Sequence, residues 1–136
     1  MNKQFEKVKD SGARQDFCTG SRRDTRNGKG RFDLITTIAL RRLAKHYENG
    51  AVKYGDHNWA KGQPLSRYLD SCFRHLIGVL EGLEDEDHAA AVAWNIFAFI
   101  HTVDMIECGV LPKELNDMEF MWNQYRTLRE HNEKHK

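Results

Sequence analysis

Apolar residues recur at intervals of three and four along most of the chain beyond residue 31, and this spacing restricts the fold more than any other feature. The clearest stripe lies on a first predicted helix, residues 32–54, and comprises Leu40, Leu43, Ala44, Tyr47, Ala51 and Tyr54. The chain has only two prolines, Pro64 and Pro112, and each stands where a helix is expected to start rather than within a stripe. The pattern therefore favours helices over sheets.

Three more helices are predicted on the same grounds. The second extends from Pro64 to about Gly82, the third covers residues 86–108, and the fourth begins at Pro112 and ends in a charged tail. The turn between the second and third helices is short, which makes them antiparallel neighbours. The predicted fold is all-α, a bundle of about four helices.

The chain is predicted to have three parts. Residues 1–30 are polar and rich in glycine, so we expect a flexible basic N-terminal arm. Residues 31–110 form the helical domain that carries the chemistry. Residues 111–136 form a C-terminal amphipathic helix with a charged tail.

Charge and composition limit the expected partners and location. The chain carries 21 basic and 20 acidic residues, so its near-neutral charge predicts neither a nucleic-acid nor a membrane partner. We find no apolar run of the roughly 20 residues that a membrane span needs, and the first residues lack the apolar segment of a secretory signal. Cys18, Cys72 and Cys108 have no short metal spacing, which predicts free, mostly buried thiols and a cytoplasmic location.

Acidic residues at the borders of apolar helical faces are the candidate metal ligands. Glu48 and Asp70 are the first choice, and Glu81 and Asp87, which flank the next turn, are the second. Converging carboxylates favour Mg²⁺ or Mn²⁺ bound beside substrate phosphates, although solvated charges and helix caps give the same pattern. An ideal helix separates Asp70 from Glu81 by about 16 Å, so one helix cannot bring both to one metal cluster.

The second and third predicted helices also carry candidate substrate contacts. Arg74 follows Asp70 by four residues, which fits either a simple ion pair or a phosphate clamp. His75 is a candidate hydrogen-bonding group or proton relay. His88 and Asn95 share one face of the third helix, and a buried asparagine there must bond to the second helix or to a ligand.

The loop after the first helix, KYGDHNW, and the basic arm supply further candidates. Lys53 is a candidate phosphate ligand, and Asn58 and Trp59 are candidates for holding a base by hydrogen bonding and stacking. Arg31 could fold over a triphosphate. The alternatives are an ordinary core position for Trp59 and a solvated tail for the arm.

Four segments together resemble a known family: GKGRFDLI, HYENGAVKYGDHNWAKG, LSRYLDSCFRHLIGVLEG and DEDHAAAVAWN. They resemble the phage dATP/dGTP diphosphohydrolases of the MazZ type, which are MazG-like members of the all-α nucleoside triphosphate pyrophosphohydrolases. The resemblance covers about residues 20–105. It implies hydrolysis of a purine deoxynucleoside triphosphate (dGTP or dATP, with GTP a further candidate) to the monophosphate and pyrophosphate with Mg²⁺ or Mn²⁺. It also implies a role in phage nucleotide metabolism that feeds modified-purine synthesis, in the cytoplasm of an infected cell.

The chain departs from the carboxylate pattern of the wider MazG superfamily, which has ExxE on one helix and ExxD on the next. Glu48 is followed three residues later by Ala51, and Asp70 is preceded at the same spacing by Arg67. The resemblance therefore implies catalytic roles for Glu48 and Asp70 but leaves two ligands missing. Glu81 and Asp87 are candidates to supply the two missing ligands, either within one chain or from a neighbouring subunit. His75 is a third catalytic candidate, proposed from its residue type and position alone.

The third predicted helix is apolar nearly all round between residues 89 and 100, apart from Asn95. We therefore expect a homodimer or homotetramer with the third or fourth helix at the interface. The alternative functions are a related pyrophosphohydrolase of another nucleotide and a non-catalytic helical binding module. A phosphohydrolase of the HD type is disfavoured because the chain has no His-Asp dipeptide.

Overall fold

The computed structural model describes residues 8–136, which form two compact units that divide between residues 35 and 36. The second unit consists of four helices and confirms the prediction of an all-α fold. They are α1 (Thr37–Tyr54), α2 (Leu65–Leu80), α3 (His88–Glu107) and α4 (Glu119–Lys134).

The first unit contains a short antiparallel hairpin of strands β1 (Arg14–Asp16) and β2 (Arg22–Asp24), with Gln15 opposite Arg23. The sequence predicts no regular structure in this part of the arm. Both strands are only three residues long and almost wholly exposed, so they lack the alternating apolar pattern that predicts a strand. Residues 1–7 of the predicted arm lie outside the described residues.

Helix α1 begins five residues later than predicted. Residues 32–34 form a separate 3-10 turn, and α1 starts after Thr36, whose side chain accepts a hydrogen bond from the Ala39 backbone nitrogen at 3.5 Å. Phe32, Leu34 and Ile35 precede this cap and made the helix look longer in the sequence, but all three are exposed and do not belong to the stripe that begins at Leu40.

The fourth helix also begins later than predicted, at Glu119 rather than at Pro112. Residues 113–115 form a 3-10 turn. The carboxylate of Asp117 then accepts hydrogen bonds from the backbone nitrogen of Ser66, at 2.9 Å, and from its hydroxyl. This segment therefore caps the start of α2 instead of continuing as a helix.

Helix α3 packs along α2 and, less extensively, against α1. Its buried positions carry small or polar residues, and the Thr102 hydroxyl donates to the Tyr68 hydroxyl at 3.3 Å. Large apolar side chains occupy other positions on the helix, where Phe97 is 50% exposed and Ile100 51%. Helix α3 thus packs against both α1 and α2, but its apolar surface is only partly covered.

Two expectations from composition are wrong. Helix α3 is 20 residues long with a mean hydropathy of 1.5, which by length and composition alone would suffice to cross a membrane. Core helices of compact domains pass the same test.

The cysteines are free, but Cys18 and Cys108 are exposed and only Cys72 is partly covered. Cys18 lies in the turn of the hairpin and Cys108 is the C-cap of α3, which leaves both outside the core.

Candidate functional site

A cleft of about 690 Å³ lies within the second unit, between α1, the loop at residues 55–63, and the facing sides of α2 and α3. Its size falls in the usual range for small-molecule sites. Helix α1 ends at Gly55, which has a φ of 93° that favours glycine, and the chain then turns back over the cleft.

Two acidic side chains, Glu86 and Asp87, line the cleft. The cationic side chains in the lining number five: Arg42, Lys45, Lys53, Arg67 and Arg74. Three of them are neutralised by ion pairs, since Arg42 binds Asp87, Lys45 binds Glu48 and Arg74 binds Asp70. Within residues 8–136, no carboxylate pairs with Lys53 or Arg67. The cleft therefore keeps uncompensated positive charge that suits an anionic ligand.

One side of the cleft is aromatic. Trp59 stands on a 3-10 turn, and its ring meets those of Tyr47 and His101 edge to face, with centroids 6.0 and 4.9 Å apart. Asn58 precedes it on the same turn and also lines the cleft. The turn is entered through His57, a non-glycine residue with a φ of 59°. Aromatic faces beside an amide can hold a flat heterocycle.

The wall opposite the loop is polar. Asn95 is 3% exposed, and its amide nitrogen donates to the Ala91 carbonyl at 2.8 Å and to the Ser71 hydroxyl at 3.4 Å. Of the two alternatives given above for Asn95, bonding to the second helix is therefore present. Half-buried His46 lies beside Trp94, and burial lowers the pKa of its imidazole.

The first-choice metal ligands do not line this cleft. Glu48 is exposed and pairs with Lys45 at 2.5 Å, and Asp70 is exposed and pairs with Arg74. Glu81 is the exposed C-cap of α2. Each of these acids has the geometry of a surface charge or cap.

Asp87 does line the cleft, as the N-cap of α3. Its carboxylate accepts a hydrogen bond from the Ala90 backbone nitrogen at 3.0 Å and two from the Arg42 guanidinium at 2.8 and 2.6 Å. The hydrogen bonds from Arg42 are the main cause that lowers the pKa of Asp87 to about 2. Both oxygens are thus engaged in joining α1 to the start of α3.

A cluster of two histidines and one glutamate lies where α2 meets the start of α3. The Nδ1 atoms of His75 and His88 are 3.0 Å apart, and Glu86 Oε1 lies 2.9 Å from the first and 3.5 Å from the second. His88 Nε2 lies 2.8 Å from Asp85 Oδ1. The hydrogen bond from His88 is the main cause that lowers the pKa of Asp85.

Only some of the candidate site residues predicted from the sequence line the cleft. Those that do are Lys53, Asn58, Trp59, Arg74, His75, Asp87 and Asn95. His88 adjoins the cleft through His75. Arg31 belongs to the first unit, where its guanidinium donates to Asp33 at 2.8 and 2.7 Å.

Sequence reasoning missed several lining residues, of which Arg67, Ser71 and Glu86 matter most. Arg67 and Ser71 lie one turn apart on the same helix as Arg74 and His75, so a plot of polar residues around that helix would have found them. Glu86 gave no such signal, because it lies among acidic residues that look like helix caps.

The fold and the cleft define a class: an all-α domain with a cationic, tryptophan-lined cleft that suits an aromatic anion such as a nucleotide. A family model described as dATP/dGTP diphosphohydrolase, N-terminal, matches residues 19–108, more than half of the chain. The chain belongs to this family, which confirms the resemblance seen in the sequence. Membership makes it a hydrolase with a nucleoside triphosphate as the expected substrate class. No curated protein and no solved structure matches the chain.

Proposed function

We propose that this chain hydrolyses dGTP and dATP to the monophosphate and pyrophosphate in a reaction that needs a divalent cation. One observation carries the proposal: in a member of this family, the cleft sets Lys53 and Arg67, two cations that have no carboxylate partner among residues 8–136, beside the aromatic group at Trp59. These features match the triphosphate and the base of one ligand.

The cationic residues would bind the phosphate chain. Lys53 and Arg67 can approach it without first breaking an ion pair, and Arg74 can do so by releasing Asp70, with which it pairs at the surface. Negative charge shifts onto the leaving pyrophosphate during the reaction, so fixed positive charge there stabilises the transition state more than the substrate. Trp59 would stack on the base, while Asn58 hydrogen-bonds to its edge.

In the reaction, the oxygen of a water molecule bonds to the α-phosphorus and the bond from that phosphorus to the α–β bridging oxygen breaks. Pyrophosphate leaves with the bonding electron pair, and the water gives up one proton. That proton passes to solvent water, while His75, which lines the cleft, is our candidate hydrogen-bond donor to the phosphate chain through Nε2. A bound divalent cation would polarise the phosphate chain and lower the pKa of the attacking water.

The carboxylates nominated from the sequence, Glu48 and Asp70 first and Glu81 and Asp87 second, stay a prediction for the ligands of this cation. Glu48→Gln tests it directly, because the variant keeps the size of the side chain and removes the charge. Loss of turnover with unchanged helical content would support the assignment, and wild-type turnover would remove Glu48 from the site.

The function is tested by incubating the full chain with dGTP and Mn²⁺ or Mg²⁺ and identifying the products. We expect dGMP and pyrophosphate. Formation of dGDP and orthophosphate, or no turnover of any nucleotide, would contradict the proposal. A competition among purine and pyrimidine triphosphates in one reaction separates it from a related pyrophosphohydrolase. Binding to nucleic acid that falls steeply with salt and needs no metal would instead favour a non-catalytic module.

The proposed setting is nucleotide metabolism in the cytoplasm of a phage-infected cell, where dGMP would supply the synthesis of a modified purine. Measuring the dGTP and dGMP pools of cells that express the chain tests this role. A fall in dGTP with a matching rise in dGMP is expected, and unchanged pools would contradict it.

We also propose that the active protein is a homodimer or homotetramer joined through α3 or α4. The two helices expose large apolar side chains, among them Phe97 and Ile100 on α3 and Phe120 on α4. Burial of such surface drives association between copies. Sedimentation at micromolar concentration tests the proposal, and a monomer would contradict it.

A further inference from the structure

We propose that His75, Glu86 and His88 bind a divalent transition-metal ion at the end of the cleft. The inference deepens the proposed function, on which it depends for the identity of the cleft's substrate. The binding of the metal itself is a property of the free protein and can be measured without a nucleotide.

The separations of the three candidate ligand atoms fit a common metal. Two atoms that each lie about 2.1 Å from one ion, at angles between 90° and 109°, are about 3.0–3.4 Å apart. The three observed separations are 2.9, 3.0 and 3.5 Å. One ion can therefore contact all three atoms with very little movement of the side chains.

The residues around His88 orient its imidazole ring so that Nδ1 can bind the metal ion. Its Nε2 faces the Asp85 carboxylate at 2.8 Å, and a carboxylate there requires a proton on Nε2. In the neutral ring this leaves the lone pair on Nδ1, which faces His75 and Glu86. A carboxylate that orients the far nitrogen of a metal-binding histidine is a common arrangement at protein metal sites.

The backbone of α2 is also adapted to this ring. A Cβ atom at Gly78 would lie 2.8 Å from both Cγ and Nδ1 of His88. Glycine is unfavourable inside a helix, and here it is the residue that leaves room for the ring. Gly78 and Asp85 thus hold the ring independently, one by shape and the other by a hydrogen bond.

The donor set favours a transition metal over Mg²⁺. Two imidazole nitrogens and one carboxylate suit ions such as Mn²⁺, Co²⁺, Fe²⁺ and Zn²⁺, whereas Mg²⁺ prefers oxygen ligands and retains its water. Three protein ligands also leave coordination positions open. His75 and Glu86 line the substrate cleft, while Glu86 and His88 line a second, more open depression of about 600 Å³. A metal held by all three is therefore accessible to phosphate oxygens.

The test is a Co²⁺ titration of the chelator-treated full chain without nucleotide, followed by visible absorption, with calorimetric titrations of Mn²⁺ and Mg²⁺ beside it. We expect 1:1 binding of Co²⁺ and Mn²⁺ that is at least about tenfold tighter than that of Mg²⁺. His75→Gln, Glu86→Gln and His88→Gln should each weaken Co²⁺ binding by about 100-fold or more. Asp85→Asn should weaken it by about 10- to 100-fold. Glu84→Gln, at an exposed acid of the same turn that lies outside the cluster, is the matched control and should bind as the wild type does.

Equal Co²⁺ affinity in the wild type and in the His75→Gln and His88→Gln variants would overturn the proposal, as would Mg²⁺ binding at least as tight as that of Mn²⁺. Because Asp85 is exposed at the surface, Asp85→Asn keeps the test decisive if a histidine variant does not fold. Turnover of dGTP is measured separately. Turnover without specific Co²⁺ binding would contradict the metal site and support the proposed function. Co²⁺ binding that depends on the cluster, without turnover, would support the metal site and contradict the proposed function.

Discussion

The imidazole ring of His88 lies directly against Gly78, so that a Cβ atom on the glycine would be 2.8 Å from the ring. The two residues belong to different helices. Gly78 is buried in α2, and His88 is the first residue of α3. This contact fixes how closely the two helices approach at the end where the histidine cluster lies.

Gly78→Ala should destabilise the protein, whereas alanine at another helical glycine should stabilise it. The new methyl group must displace the His88 ring, and overpacking of this kind costs about 1–3 kcal/mol of unfolding free energy. At Gly50 in α1 an added Cβ meets nothing within 4 Å, so Gly50→Ala should gain about 0.5–1 kcal/mol from helix propensity. Urea unfolding followed by circular dichroism measures both. Equal stabilisation by the two variants would contradict the close contact.

Neutralising the two unpaired cations of the cleft should impair catalysis without affecting the fold. Arg67→Gln and Lys53→Gln should each lower kcat/KM for dGTP by about 10- to 100-fold, since a hydrogen bond to a charged group contributes about 1.5–3 kcal/mol. Arg129→Gln on α4, outside the lining of the cleft, is the matched control and should behave as the wild type does. Steady-state kinetics at fixed ionic strength provide the measurement. Wild-type kinetics in both cleft variants would exclude these residues as phosphate ligands.

The Arg42–Asp87 pair should contribute to stability in a pH-dependent way. The pKa of Asp87 is lowered from 3.8 to about 2 in the folded protein, chiefly by hydrogen bonds from Arg42. A carboxylate with a lowered pKa stabilises the fold above its unfolded pKa, and the contribution is lost as the pH falls from about 4 to 2.

Asp87→Asn should therefore reduce the unfolding free energy by up to about 1 kcal/mol at neutral pH, because solvent screens this partly exposed pair. The difference from wild type should disappear near pH 2. Urea midpoints measured across this range test the prediction. A difference that stays constant with pH would mean that Asp87 acts through its cap alone.

Trp59 should report on substrate binding. Stacking of a base on an aromatic side chain contributes about 1–3 kcal/mol, so Trp59→Leu should raise the Kd for dGTP by about tenfold. Adding dGTP should also quench the intrinsic fluorescence of the wild type, and Trp59→Leu should keep only the part that comes from Trp94, which also lines the cleft. Trp122→Phe is the control, because Trp122 packs against Phe99 and does not line the cleft. Quenching and a Kd for dGTP that are both unaltered in Trp59→Leu would exclude Trp59 as the residue on which the base stacks.

Local chemistry explains which parts of the fold were predictable. The predicted bounds of α2 and α3 lie within about two residues of the observed ones, since Pro64, Asp87 and Gly109 mark helix ends by their own backbone and capping preferences. The starts of α1 and α4 were not predicted. Apolar residues stand on both sides of the cap at Thr36 and hid it, and the turn before α4 depends on Asp117 binding Ser66, 51 residues away in sequence.

The sequence by itself determined the all-α architecture, the family, and the residue types that the cleft would need. Lys53, Asn58, Trp59 and Arg74 were recognisable because each offers suitable chemistry at a short distance from the others along the chain. Which acid lies beside which histidine was decided only by the tertiary structure. Candidate ligands were sought by spacing along single helices, whereas His75 and His88 are 13 residues apart and meet only because α2 and α3 pack antiparallel at one particular register. That register depends on the close approach that Gly78 permits, and a sequence pattern does not encode such a distance.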